Sequence, residues 1–516
     1  MANINKRFRN KGFLCARLTV LVGCFLLVAC QAITATPGDQ AGTQPEDLSP
    51  GSTEIKAVGT TTDTVMQPTW TIPFTVSPTA TPSPAEWPVA GMEIRHINDL
   101  DLTSGLGVSW VRRNALKWNL VEPVQGMRAW NEVAALDEEL SRISSLGMQA
   151  ILIVRGTPDW AQAVQGQVCG PIKPEALDAF AEFLRDAVVR YSQPPYNVKY
   201  WELGNEPDVD PSLVKWTGPF GCWGDKNDAD YYGGGYYAAM LKVAYPAIKS
   251  INPEAQVVLG GLLLDCDPVR PPETSPGSGQ LRYCTPSRYL EGVLVNGGGD
   301  YFDGVSFHAY DYYKGAEGQY ANGNWYSAWN TTGPVMAAKA NYLRAILAAH
   351  GQAEKFLMNT ENAILCGRDG TEADCQTDTF NLTKAYYVVQ SSVMAMAEGL
   401  RANIWYDLQG WRGTAMIDVN RQPLPAYLAY QFNNEMLAGV TYWGRVSTSD
   451  GVSGYEFRQG DRVLWVVWSL DGSSHELLLP DSVVAVYDVF GQALPAGQSL
   501  NLTLSPMYIE WVASQP

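Results

Sequence analysis

Trp201-Glu202-Leu203-Gly204-Asn205-Glu206-Pro207-Asp208 starts as an apolar run and arrives at a carboxylate, and Met358-Asn359-Thr360-Glu361-Asn362 closes a second run in the same way. Buried strands normally stop at turn residues. A glutamate there is costly to desolvate, so it reads as a working group at the mouth of a parallel barrel strand. Two such glutamates on different strands have the makings of an acid/base and nucleophile pair for glycosidic bonds.

Outward from these two segments the chain alternates. Strand-like runs occur at 89–95, 108–113, 149–155, 198–203, 256–262, 302–307, 355–359 and 403–406. Helical stretches separate them, at 130–146, 174–191, 236–251, 286–295, 328–350 and 379–399, with a last one near 426–437. In the first, Val133, Leu136, Leu140, Ile143 and Leu146 recur at steps of three and four, the spacing of one helix face. Eight strands alternating with helices predict a (β/α)8 TIM barrel over residues 86–437. From 438 to 516 the pattern becomes short β-rich runs broken by Gly, Asp and Pro, predicting a small antiparallel β-sandwich.

The N-terminus carries an address. Lys6, Arg7, Arg9, Lys11 and Arg17 precede and flank an apolar core at 18–29 that is short for a membrane span. Leu27-Val28-Ala29-Cys30 resembles a bacterial lipobox. That resemblance implies a lipoprotein signal peptide at 1–29 and a lipid on Cys30, making the folded part exported and anchored at the cell surface or in the periplasm. Residues 30–85 are rich in Thr, Pro and Ser and predict a disordered tether.

The formal net charge is −17. Losing a leader with five basic residues and no acids takes it to about −22, which argues against nucleic acid and against electrostatic docking on anionic lipid. Six cysteines lie beyond the leader. In an exported chain an even number predicts disulfides, and the pairing stays open in principle. Nearness favours Cys266–Cys284 and Cys366–Cys375, leaving Cys169–Cys222. No Cys-x-x-Cys occurs and there are four histidines, so no metal site is expected.

Asn205-Glu206-Pro207 on strand four with Glu361 on strand seven resembles clan A of the glycoside hydrolases, the retaining (β/α)8 group. Trp201-Glu202-x-x-Asn205-Glu206-Pro207, Thr157-Pro158-x-Trp160-Ala161 and the C-terminal sandwich are most similar to family thirty-nine, the β-xylosidase/iduronidase-like group, with the cellulase-like family five as the near alternative. Gly204 departs from that pattern, which usually has a bulky aromatic there.

The resemblance implies roles. Glu206 is the general acid/base, whose pKa must be raised to donate a proton near neutrality. Glu361 is the nucleophile, and a carboxyl separation of about 5–5.5 Å gives retention. Asn205 holds the sugar 2-hydroxyl. Arg113, ending strand two, is similar to the clan's arginine that orients the nucleophile; Arg112 is adjacent, and either could face the site. His308 and Tyr310 line the sugar subsite. Trp405, ending strand eight, is the sugar-stacking aromatic; Trp118, Trp160, Trp223, Trp325 and Trp411 also fall in or near loops of that face. No cofactor is implied, and the sequence assigns no oligomeric state. The reading is a retaining β-glycosidase acting on oligosaccharide or polysaccharide, and the alternative is a non-catalytic carbohydrate-binding lipoprotein on the same barrel.

Overall fold

The computed structural model describes residues 88–513 except 219, 270–272, 275–280, 283, 314–323, 447–449 and 481. The signal peptide, Cys30 and the tether lie outside the described residues. Eight parallel strands close into a barrel: β1 (Ala90–Glu93), β2 (Trp110–Lys117), β3 (Gln149–Arg155), β4 (Tyr200–Asn205), β5 (Gln256–Leu262), β6 (Gly304–Tyr313), β7 (Phe356–Cys366) and β8 (Asn403–Trp405). Each pairs with the next, β6 pairs with β7 along ten residues, and β8 returns to β1. A helix follows every strand: α1 (Leu100–Gly105), α2 (Ala134–Ser145), α3 (Leu177–Tyr191), α4 (Gly234–Ile251), α5 (Tyr289–Val295), α6 (Met336–Ala349), α7 (Asp378–Ala397) and α8 (Pro425–Met436).

Alternation along each strand divides the side chains between two cores. Outward residues such as Val111, Leu152, Leu203 and Leu259 pack against the helices. Inward residues fill the barrel floor: Trp110, Ile151, Tyr200, Val258, Met358, Ala402 and Ile404. Trp110 and Tyr200 meet edge to face there at 4.8 Å. Above this apolar floor the inward residues turn polar, with Arg112, Glu202, Ser306 and Thr360 all buried.

Three elements differ from expectation. The helix predicted from 328 begins only at Met336, because Gly333-Pro334 breaks it and Asp311 binds the Val335 N–H at 2.9 Å. Strands β6 and β7 run several residues past their predicted ends, carrying their pairing beyond Glu361.

The C-terminal part is a five-stranded antiparallel sheet: β9 (Thr441–Arg445), β10 (Val452–Gln459), β11 (Arg462–Ser469), β15 (Met507–Val512) and β13 (Val483–Tyr487), in that spatial order. A separate pair joins β12 (His475–Leu478) to β14 (Ser499–Leu502). The sequence did not suggest β9 and β10, whose apolar residues are interrupted by glycines and charges. One sheet face packs on the barrel, where Tyr508 donates to Asn433 Oδ1 at 3.1 Å and Gln390 Nε2 donates to the Leu504 carbonyl at 2.8 Å.

All three disulfides form with the pairing that nearness favoured: Cys169–Cys222, Cys266–Cys284 and Cys366–Cys375. Such bonds persist in oxidising compartments. Among the described residues no helix is long and apolar enough to cross a membrane.

Candidate active site

The site is built around Arg112. Strand β2 points Trp110 and Arg112 inward, and the guanidinium is fully buried. Its Nε donates to Glu202 Oε2 at 2.8 Å, and Nη1 donates to Glu93 Oε2 at 2.9 Å and to Glu361 Oε1 at 2.5 Å. Its Nη2 donates to Asn205 Oδ1 at 2.6 Å. Burial opposes its charge, but the carboxylates of Glu202, Glu93 and Glu361 outweigh burial and hold it protonated. Glu202 is anchored in turn: its Oε1 accepts from the Gly261 N–H, Ser306 Oγ and Thr360 Oγ1 at 3.1, 2.6 and 2.9 Å. Satisfied partners of this kind make a buried charge tolerable and fix its geometry.

Glu206 and Glu361 face each other across His308. His308 Nδ1 lies 2.8 Å from Glu206 Oε1 and 3.4 Å from Glu361 Oε2. Burial, then Arg112 and Lys339, push the imidazole pKa well down, so it is neutral. Its Nε2 faces Arg112 Nη2 at 3.5 Å. We therefore assign the ring proton to Nδ1, leaving Nε2 as the acceptor. Gly261 permits this packing, since a Cβ there would sit 2.2 Å from His308 Nε2.

The two carboxyls differ in environment. Glu206 is held in the left-handed region at φ +55°, following Gly204 at φ +93°. This turn accounts for a glycine at 204, where an L side chain would be strained. Burial raises the Glu206 pKa well above the carboxylate range, and the charges of Glu361 and Asp208 add to it. Burial also raises Glu361, but there the Arg112 charge and hydrogen bonds from Tyr310 and Arg112 draw it back. Tyr310 donates its hydroxyl to Glu361 Oε2. One carboxyl is thus biased to keep its proton and the other has donors for its charge, the asymmetry an acid and an anion require.

The structure brings Glu206, Glu361, Asn205, His308 and Tyr310 together, and it corrects two expected site residues. Arg113 points outward and pairs with Glu139 on α2, its Nη2 donating to Oε1 at 2.9 Å. A shift of one residue along a strand reverses the face, so Arg112 takes the inward position. Trp405 is 1% exposed, and its Nε1 donates to the Thr414 carbonyl at 3.0 Å, leaving no face open for a sugar. Its neighbour Tyr406 stands at the cleft instead, edge to face with Tyr310 and Trp411 at 6.3 and 6.1 Å. Thr157 and Trp160 brace the β3 loop by donating to the carbonyls of Gly170 and Glu122.

The residues that sequence reasoning missed are Glu93, Tyr406 and Lys339. Glu93 ends the first strand on a carboxylate, the same signal that marked Glu206. Lys339, buried on α6, donates to the carbonyls of Leu263 and His308 at 2.8 Å each. Nothing in the sequence marks it.

Glu206, His308 and Glu361 each present an atom within 4.8 Å of the others, a spacing that could hold a metal. The donor set fits a metal poorly. Both oxygens of Glu361 already accept from Arg112 and Tyr310, and a fixed guanidinium adjoins the imidazole.

No family model matches the chain, and no curated protein does. Solved structures do. A family 39 glycoside hydrolase from the gut symbiont Bacteroides cellulosilyticus WH2 superposes at a TM-score of 0.60 with 19% identity, over 83% of this chain and 81% of that one. An α-L-arabinofuranosidase from Thermotoga maritima, solved with arabinose, gives 0.53 at 13% identity, over 83% and 97%. A GH30 endoxylanase from Clostridium papyrosolvens C71 gives 0.52 at 12%, over 84% and 98%. These likenesses establish a shared fold.

Proposed function

We propose that this chain is a retaining glycoside hydrolase of the clan A, family thirty-nine-like type, cleaving β-linked oligosaccharide or polysaccharide. The observation that carries the reading is the pair Glu206 and Glu361, one carboxyl oxygen of each lying within 4.8 Å of the other. Inverting enzymes need about 6.5–9.5 Å to admit water between the carboxyls, whereas retaining enzymes hold them at about 5–5.5 Å. The raised pKa of Glu206 and the donors on Glu361 support the same division of labour. So do the fold neighbours, which include a family 39 glycoside hydrolase, a GH30 endoxylanase and an α-L-arabinofuranosidase.

In this reading Glu361 attacks the anomeric carbon as the glycosidic C–O bond breaks, and Glu206 gives its proton to the departing oxygen. Arg112 and Tyr310 hold Glu361 in line. In the second step Glu206, now a carboxylate, takes a proton from water, whose oxygen attacks the anomeric carbon and releases Glu361. Asn205 holds the 2-hydroxyl, and neutral His308 keeps the two carboxyls in register. The disulfides fit an exported enzyme, and a lipid on Cys30 would hold it at the membrane.

The test is a panel of aryl β-glycosides (xyloside, glucoside, galactoside, mannoside, arabinoside) with wild type, Glu206→Ala and Glu361→Ala. Turnover that Glu361→Ala abolishes, and that azide restores with an inverted azide product, supports the reading. No turnover, with wild type and both variants binding the same oligosaccharide equally, would move the assignment to a carbohydrate-binding protein.

A further inference from the structure

Glu93 is a third buried carboxyl in the cleft. It ends β1, is 7% exposed, and shares Arg112 Nη1 with Glu361. Its other oxygen, Oε1, has no hydrogen-bond partner among the described residues and is not sealed from solvent. Glu202 and Glu361 also pair with Arg112, so Glu93 is the third carboxyl on one guanidinium. Burial pushes the Glu93 pKa up to about 8, with Arg112 opposing the rise and Glu361 adding to it. Arg112 and Glu361 adjoin Glu93, Arg155 and Tyr406 interact with it electrostatically, and Asp407 is paired with Arg95 at 2.7 Å. Tyr406, on the same wall, has a hydroxyl without a hydrogen-bond partner among the described residues.

Building on the glycosidase reading, we infer that Glu93 is a specificity-determining carboxyl whose Oε1 binds a ring hydroxyl of the sugar seated over Glu361, with Tyr406 beside it. The ligand class is a neutral pyranose or furanose with a hydroxyl remote from the 2-position. A hydrogen bond between a hydroxyl and a buried carboxyl is discriminating, since a sugar lacking that hydroxyl leaves the carboxyl unpaired.

The experiment takes the aryl β-glycoside that the wild type cleaves fastest, with its 3-deoxy and 4-deoxy counterparts. Glu93→Ala is expected to lower kcat/KM on the parent by roughly 100-fold, yet by less than about threefold on one deoxy sugar. Equal losses on all three overturn the proposal, because a residue acting only through Arg112 does not sense which hydroxyl is present. Should Glu93→Ala not fold, Glu93→Gln is expected to give the same pattern at smaller amplitude. If the wild type cleaves nothing, the aryl β-glycoside of the panel that it binds most tightly becomes the parent, and it and its deoxy counterparts are titrated calorimetrically. Wild-type binding that weakens at least about tenfold in Glu93→Ala, for the parent only, upholds Glu93 while the glycosidase reading fails. Equal binding, or none, overturns both.

Discussion

Arg112 Nη1 donates to Glu361 Oε1 at 2.5 Å, both side chains buried, while Arg113 reaches the opposite side of the same strand. Adjacent arginines therefore serve separate parts of the molecule. Arg112→Lys keeps the charge but loses the fork that holds Glu361, Glu93, Glu202 and Asn205. It is expected to fold and to lose at least about 100-fold in kcat, an order of magnitude set by loss of a positioned charge contact. Arg112→Ala leaves buried carboxylates unpaired and should cost about 3–5 kcal/mol in urea denaturation. Arg113→Lys, whose charge pairs with Glu139 away from the two carboxyls, should change kcat by less than about threefold, since it touches no group that gains charge in the transition state. Matching losses of turnover in the two lysine variants would sink the assignment.

The pH profile should follow the two carboxyls. Catalysis needs Glu206 protonated and Glu361 ionised. Glu206 is pushed up by burial and by Glu361, so kcat/KM should fall as pH rises through its elevated pKa. The acid limb should report protonation of Glu361. With a dinitrophenyl glycoside, whose leaving group needs little protonation, Glu206→Gln should lose the alkaline limb of glycosylation while keeping the acid one. An unchanged alkaline limb in that variant would assign the proton donor elsewhere.

Cys169–Cys222 ties the β3 loop to the β4 loop across 53 residues. The adjacent Gly221 N–H donates to the Asn205 carbonyl, coupling that loop to the acid/base segment. Replacing both cysteines by serine should cost about 4 kcal/mol by loop entropy and raise KM. Removing Cys366–Cys375, which spans 9 residues, should cost about 2–3 kcal/mol on the same account. Equal losses in parallel denaturation curves would contradict the loop-length argument.

Trp411 is 45% exposed and meets Tyr310 and Tyr406 edge to face at 6.2 and 6.1 Å. An open indole beside the cleft suits the apolar face of a further sugar unit. Trp411→Ala should raise KM for oligosaccharides roughly tenfold and leave aryl monoglycosides nearly unchanged. A kcat loss on both substrate types would point to a structural role for the ring.

Much of this was legible in the chain. Alternation of strand and helix is a local pattern, because each strand must be apolar and each helix must present one apolar stripe. The strand-end glutamates stood out because a carboxylate at the end of an apolar run is anomalous on its own. The disulfide partners were near enough along the chain for proximity to choose among them. By itself, then, the sequence determined the barrel, its order, and the strands that carry Glu206 and Glu361.

Tertiary structure decided what depends on orientation and burial. Whether residue 112 or 113 enters the barrel turns on strand phase, which two adjacent arginines leave ambiguous. Trp405 was expected to meet the sugar and is sealed beneath Thr414, while Tyr406 one residue on reaches the cleft. Glu93 became visible as a site residue only when β1 and β2 placed it on the nitrogen that holds Glu361. Closure of the barrel brings these groups within hydrogen-bond reach from positions up to 268 residues apart, from Glu93 to Glu361. Periodicity along one strand carries no information about distances across the barrel.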